Sequence, residues 1–391
     1  MLIQSPHDPA FVQDPYGVYD RARRDGPVLF WQEYGMLAAF DHATVHALLR
    51  DKRLGRAVPE AQRKPVPDHL TAFSAVERHS LLELEPPEHT RLRRLVLHAF
   101  TSRRIAGLAP DIHAICADLL ADLSTGEFDL IPSFCQLVPV RVITRLLGVP
   151  EEMGPDLLRW SSAMVAMYQA GRDRAVEEAA NRAASEFTAF LHGYIEERRS
   201  DPRDDLISEL IAAQDGAQRL SADEMIGTII LLLNAGHEAT VHSLGNAVKC
   251  VIETGTTDAL GPAQIDGTVE ELLRFTPPLH MFTRYAYARV EVGGHVLEPG
   301  DEIALMLGAA GRDGAVFEDP HQFDPNRKKP AHLAFGGGLH FCVGAPLARL
   351  EMQIALPALF ARAPGLRITK TPAFSDSYHF HKLDQLMVLQ T

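Results

Sequence analysis

Between Glu88 and Thr254 apolar residues recur at helical spacing almost without interruption. The segments 88–100, 104–124, 138–148, 152–170, 173–199 and 205–214 each carry them at a 3.6-residue period, with Pro or Gly between several of them. Ser221-Ala222-Asp223-Glu224 has the form of a capping box, and the helix it opens is predicted to run to about Glu253. The early half of that helix is apolar all round, so it should pass through the core rather than lie on the surface. A further helix is predicted at 264–275. Val28 to Phe40, broken at Glu33-Tyr34-Gly35, reads instead as a β-hairpin, and Asp41 caps a helix running to about Asp51. Short strands at 281–298 lead into a long irregular stretch, punctuated by Asp324-Pro325-Asn326-Arg327 and Phe335-Gly336-Gly337-Gly338, before a final helix at 346–361. The expectation is a mostly α protein with a small β-rich portion. That portion draws on about 28–40, 281–306 and the C-terminal tail, within one domain spanning 1–391.

Composition narrows the classes. With 391 residues, 46% hydrophobic and 23% charged, the chain is globular, not disordered or fibrous. A net charge of −13 argues against a general nucleic-acid binder, which needs surplus Lys and Arg. The four cysteines, Cys116, Cys135, Cys250 and Cys342, are too scattered for a disulfide scaffold or a CxxC zinc site, so a reducing compartment is expected. The first residues show no basic segment followed by an apolar one. The most apolar run, Met225 to Leu233, is too short to span a bilayer. A cytoplasmic protein without membrane contact is expected.

The most informative stretch is Phe335-Gly336-Gly337-Gly338-Leu339-His340-Phe341-Cys342-Val343-Gly344. A thiol stands at the end of a Gly-rich loop and just before a helix N-terminus, where curled backbone N–H groups and the helix dipole favour the thiolate. Such a thiolate makes a good axial ligand to haem iron. A buried inert cysteine and a hydrolase nucleophile are the alternatives, though no elbow signature surrounds this one.

Phe335, Gly336, Gly338, His340, Cys342, Gly344, Leu347 and Ala348 resemble the haem-binding loop of the cytochrome P450 family, and three further motifs follow in the family's order. The resemblance implies the cytochrome P450 fold, with the long helix crossing haem b, Cys342 as the proximal metal ligand and Phe335 near the sulfur. Glu271 and Arg274, one helical turn apart, would join Arg327 as structural support for the ligand loop. His89, Arg93, Arg284 and His340 would meet the haem propionates, and Gly344 completes the cofactor-binding set. Arg91, Arg94, Arg103, Arg104 and Arg349 form a candidate basic patch for an acidic electron-transfer partner.

In Ala235-Gly236-His237-Glu238-Ala239-Thr240 the resemblance assigns the oxygen-activating segment. Gly236 marks a close approach or a local distortion of the helix, and Glu238 is the acid of an acid–alcohol pair. The alcohol position, however, holds Ala239, and Thr240 lies about 100° further round the helix. Proton delivery must then rely on water, a substrate hydroxyl or another side chain; Thr240 or His237 could serve if the helix unwinds locally. Ala235, Met281, Phe282, Phe380, Met164, Met167 and Tyr168 are candidate pocket residues, with His379 and His381 as weaker polar ones. Apolar residues at helical spacing are as readily plain core.

The implied activity is a monooxygenase inserting one oxygen atom of O2 into a small or medium apolar organic substrate. Electrons would come from ferredoxin and ferredoxin reductase, since the length leaves no room for a fused reductase, and a monomer is the default. A peroxide-using haem-thiolate enzyme and a haem- or ligand-binding protein without turnover are the rivals.

Overall fold

The computed structural model describes residues 1–169, 172–212, 220–328, 331–377 and 380–390. His379 and the predicted helical positions 170, 213 and 214 lie outside them. The capping box forms as written. Ser221 Oγ accepts from the Glu224 N–H at 3.1 Å, and the Glu224 carboxylate accepts from the Ser221 N–H at 2.9 Å. From there one helix runs over Ala222–Thr254 and ends at left-handed Gly255. At 1.5 Å per residue its 33 residues span about 50 Å. Met225, Ile229, Ile230, Leu244, Ala247, Val248 and Val251 on it are wholly buried, so it crosses the core as its pattern predicts. Helices Leu137–Leu147, Gly154–Val165 and Ala345–Arg362 pack against it.

Most of the other predicted helices form within a residue or two: Glu88–Ala99, Arg174–Ser200, Leu206–Ala212 and Ile265–Phe275. The predicted 104–124 helix is instead two, Ser102–Gly107 and Ala109–Ala121, because Pro110 sits where a new helix can begin but an old one cannot continue. The 152–170 helix ends at Val165 and tightens into the 3-10 turn Ala166–Tyr168. Asp41 caps the helix His42–Leu48 by accepting from the Thr44 N–H, 2.9 Å, and that helix stops short of Asp51.

The hairpin Val28–Trp31 and Met36–Ala39 forms one edge of a five-stranded sheet. Met36–Ala39 pairs in parallel with Glu302–Leu305, which pairs antiparallel with Phe282–Ala286, and Leu54–Gly55 closes the far edge. The tail strand Met387–Gln390 pairs with Gly126–Asp129 and Arg367–Ile368. Among the described residues no helix is long and apolar enough to cross a membrane. A large helical core and two smaller apolar clusters flanking the sheet leave the segment Leu333–Gly344 between sheet and helices.

Candidate functional site

The cysteine loop is held by its own backbone. The Gly336 N–H donates to Leu333 O at 2.8 Å, a 3-10 turn covers Gly338–His340, and the Cys342 N–H closes the loop on Phe335 O at 3.1 Å. Gly336 and Gly338 adopt φ +70° and +65°; a Cβ on Gly338 would stand 2.3 Å from Leu49 O, a backbone atom that cannot retreat. The sulfur then faces the backbone N–H groups of Gly344 and Ala345 at the start of helix Ala345–Arg362. Burial prevails and raises the thiol pKa, against the expected stabilisation of the thiolate, although those N–H groups and the guanidiniums of Arg93 and Arg349 pull it down. The side chain is nonetheless accessible. A sulfur that is surrounded by protein yet open on one side lines an internal recess, as a metal-binding thiolate should. Arg349 lies over the Phe335 ring at 4.5 Å and pairs with Glu270 at 2.5 Å, locking the aromatic beside the loop.

The segment upstream is fastened by Glu271 and Arg274, both wholly buried in their side chains. Glu271 accepts from Arg274 at 2.7 and 2.8 Å, from Arg327 at 3.1 Å and from the Asp324 N–H at 3.0 Å. Arg274 donates onward to the carbonyls of Gly311, Pro320 and Gln322. The predicted support triad therefore ties helix Ile265–Phe275 to the chain leading into the ligand loop.

A cationic corner adjoins the cysteine. The rings of His89 and His340 lie 4.5 Å apart, and Arg93 donates to Phe341 O at 2.5 Å. His89 is fully buried with both ring nitrogens unpartnered, and burial, then His340 and Arg93, hold its pKa down to about 4. Arg284, 2% exposed, donates to Thr283 O; burial, then the neighbouring charge of Arg56, lowers its pKa to about 10. Arg56 and Arg284 stand 5.9 and 6.0 Å from the centre of the same Phe282 ring. Arg56 pairs with Glu83 at 3.5 Å, but among the described residues Arg284 has no carboxylate partner and the buried His89 imidazole is orphaned; both call for an anion, and the propionates of haem have the required charge. The residues thus fit haem.

Arg56 was not legible as part of this corner, since it belongs to no motif. Nor was Glu85, whose carboxylate accepts from the Arg56 N–H at 2.6 Å and lies 3.0 Å from His340 Nε2. Its position just before Pro86-Pro87 and the His89 helix is the signal that could have found it.

On the long helix Ala235 is exposed and Ala239, one turn on, half-exposed, so small side chains occupy an accessible face of it. The helix is unbroken through Gly236, against the expected distortion; a Cβ there would meet Ile143 at an ordinary 3.5 Å. Nor is there the local unwinding that would bring Thr240 or His237 round. Thr240 Oγ1 donates to Gly236 O at 3.0 Å, and the His237 ring is enclosed with neither nitrogen bonded. Glu238 turns to His242 Nε2, 3.1 Å away, with His237 Nδ1 at 3.7 Å. Burial raises its pKa, but the bond and charge of His242, then His237 and Lys382, outweigh that and bring it to about 2.

The pocket candidates separate. Met164, 1% exposed, lies over the long helix with its sulfur 3.8 Å from Asn234 Nδ2, and Met167 is buried in the same core. Tyr168 donates to Glu77 at 2.9 Å, and Phe380 meets the His242 ring edge-on at 5.8 Å. Phe282 packs under Gly336. Met281 is buried with Tyr19, Trp31 and Met306 in the cluster beside the sheet, where strand alternation points it away from Phe282. His381 stacks on Phe374 at 3.6 Å. The basic patch is thinner than the sequence suggests: Arg91, Arg104 and Arg349 are paired with Glu224, Asp204 and Glu209, and Glu270. Arg94 and Arg103 remain exposed on that side.

Residues 265–362 match the family model described as Cytochrome P450. The chain is 36% identical to 6-deoxyerythronolide B hydroxylase of Saccharopolyspora erythraea, over 92% of this chain and 91% of that protein. It is 36% identical to vitamin D(3) 25-hydroxylase of Pseudonocardia autotrophica, over 93% and 88%. Its fold superposes on P450BioI, solved with an acyl carrier protein bearing hexadec-9Z-enoic acid, with a TM-score of 0.91, 30% identity and coverage of 98% and 99%.

Proposed function

The chain belongs to the cytochrome P450 family, and from that premise we propose that this haem-dependent monooxygenase takes electrons from a ferredoxin-type partner and oxygenates a small or medium apolar organic substrate. The observation that carries the reading is the accessible Cys342 sulfur, presented by two backbone N–H groups at the start of a helix. Bound haem supplies the dioxygen chemistry, with a thiolate ligand favouring O–O cleavage. Cys342 would hold the iron. His89, Arg93, Arg284 and His340 would hold the propionates, with Arg56 close by. Ala235 and Ala239 would leave room over the haem face, and Glu238 would move protons there.

An apolar substrate is supported by the names of the relatives, a 6-deoxyerythronolide B hydroxylase and a vitamin D(3) 25-hydroxylase. A negatively charged redox partner is supported by exposed Arg94 and Arg103 with exposed Leu97, Leu339 and Phe341, a basic rim around apolar side chains on the Cys342 side. The whole chain would act as a single, monomeric P450 domain in the cytoplasm. The test is the absorption spectrum of dithionite-reduced protein with carbon monoxide, beside Cys342→Ala. A strongly red-shifted Soret band, lost in the variant, is expected. A band at the histidine-haem position, or a folded protein that takes up no haem, would overturn the reading. Product formed with peroxide but none with O2 and a reductase would favour the peroxide-using rival and overturn both O2 as oxidant and the ferredoxin part.

A further inference from the structure

Ala239 is half-exposed on the long helix, at the position where the family resemblance calls for a hydroxyl, and the neighbouring hydroxyls do not replace it. Thr240 Oγ1 donates to Gly236 O and Ser243 Oγ donates to Ala239 O, 3.0 and 2.9 Å, so each commits its proton to the helix backbone. What does reach Glu238 is imidazole. His242, one turn along, sets Nε2 3.1 Å from Oε1, the only side-chain hydrogen bond to that carboxylate among the described residues. His237 stands near the other oxygen, but its nitrogens are enclosed without partners, so it has nothing from which to draw a proton.

His242 is differently situated. The residue keeps 8% of its surface, and its ring lies at the seam between the long helix and the C-terminal tail. The tail is fastened there by Phe380, whose ring meets His242 edge-on, and by the Asn246 side chain, which donates to His381 O at 2.9 Å. From the tail the half-exposed Lys382 contributes positive potential at Glu238; His242 and His237 are the other charged or titratable groups acting on that carboxylate. Glu238 thus has a sealed side at His237 and, at His242, a nearly buried side whose imidazole Nδ1 is not sealed as the His237 nitrogens are.

We propose that His242 feeds protons to Glu238, taking the part that an alcohol at position 239 would have had. It acts through Glu238 and is a relay and positioning residue, not a catalytic one. Oxygenation of a substrate R–H by O2 consumes two electrons, which the redox partner brings, and two protons, which solvent brings, leaving R–OH and water. For each proton His242 accepts one from solvent on Nδ1 and passes the one on Nε2 to Oε1 of Glu238. Glu238 releases it into the recess, and a ring flip resets the imidazole. Neither side chain changes oxidation state. The inference rests on the monooxygenase reading above.

The test uses the holoenzyme without substrate, reduced by a surrogate ferredoxin and ferredoxin reductase, with O2 consumption followed in H2O and D2O. His242→Gln keeps an N–H donor for Glu238 but cannot carry a proton. It is expected to retain the red-shifted carbon monoxide band, to slow O2 consumption at least about tenfold, the low side of what proton transfer contributes, and to raise the solvent isotope effect. Glu238→Gln should behave alike, and the double variant no worse than either. In the diamagnetic carbon monoxide form, the His242 imidazole 15N signal should move when Glu238 becomes Gln, a readout independent of turnover and of how the His242 variant folds. Wild-type rate and isotope effect in His242→Gln would overturn the relay, as would an unmoved 15N signal. Absence of the red-shifted band from the wild type would strike instead at the haem-thiolate reading.

Discussion

Replacing Glu271 by Gln removes one negative charge and leaves the shape almost unchanged. The carboxylate accepts four hydrogen bonds, three from guanidiniums and one from backbone. An amide offers one oxygen, and its NH2 would confront either Arg274 or the Arg327 and Asp324 donors. Arg274 is wholly buried and Arg327 8% exposed, so neither cation can turn to water for compensation. Breaking a buried pair from one side costs about 3–5 kcal/mol, mostly through the charge left unpaired. With about 2.1 cal/mol/K of unfolding entropy per residue, 391 residues give about 0.8 kcal/mol/K, so Tm should fall by about 4–6 °C. The loss should be local as well as global, because Arg274 and Arg327 fasten the chain at 311–327 that leads into the cysteine loop. Circular dichroism melts with haem content from the reduced carbon monoxide spectrum measure both. A variant melting within 1 °C of wild type with full haem would refute the argument. The native Glu271 pKa is lowered: burial raises it, but the bond and charge of Arg274 prevail. This stabilisation is therefore complete above the unfolded value of about 4.3 and is lost as pH falls through the native one. The wild-type advantage over Glu271→Gln should shrink in acid.

Gly338→Ala should fold its helices but bind haem poorly, since a methyl 2.3 Å from Leu49 O at φ +65° displaces the ligand loop; normal haem content would refute this. Glu351, 1% exposed and without a hydrogen bond at Oε2, has its pKa raised well above the ordinary value by burial. Such a group costs nothing below the unfolded value of about 4.3 and increasingly more as pH rises toward the native one. Glu351→Met should therefore raise Tm clearly at pH 7 and little at pH 4.5, and an equal gain at both would contradict the assignment. Thr240→Val should leave O2 consumption within about twofold of wild type, because the hydroxyl already serves the helix; a loss matching His242→Gln would make Thr240 the proton donor instead.

The parts legible in the sequence are those in which the chemistry is local. The capping box, the long apolar helix, the Gly-rich turn before Cys342 and the one-turn spacing of Glu271 and Arg274 each lie within a few residues, and each forms as its pattern requires. What escaped depends on pairing at a distance. Gly126–Asp129 becomes a strand only because Met387–Gln390 comes to it from the far end of the chain, and Arg56 joins Arg284 only because Leu54–Gly55 pairs with Phe282–Ala286. Met281 and Phe282 illustrate the limit from the other side. They are adjacent and both apolar, yet alternation along a strand places one among the sheet's aromatics and the other under the ligand loop. The oxygen helix combines both cases. Its departure at Ala239 is visible in six residues, and the compensation at His242 lies only one turn further. Recognising it required knowing that Thr240 and Ser243 point their hydroxyls at backbone carbonyls, that the His237 ring is sealed, and that the tail brings Phe380 and Lys382 alongside. A missing group is read from sequence by comparison with a pattern; the group that replaces it is read only from the hydrogen bonds that remain uncommitted.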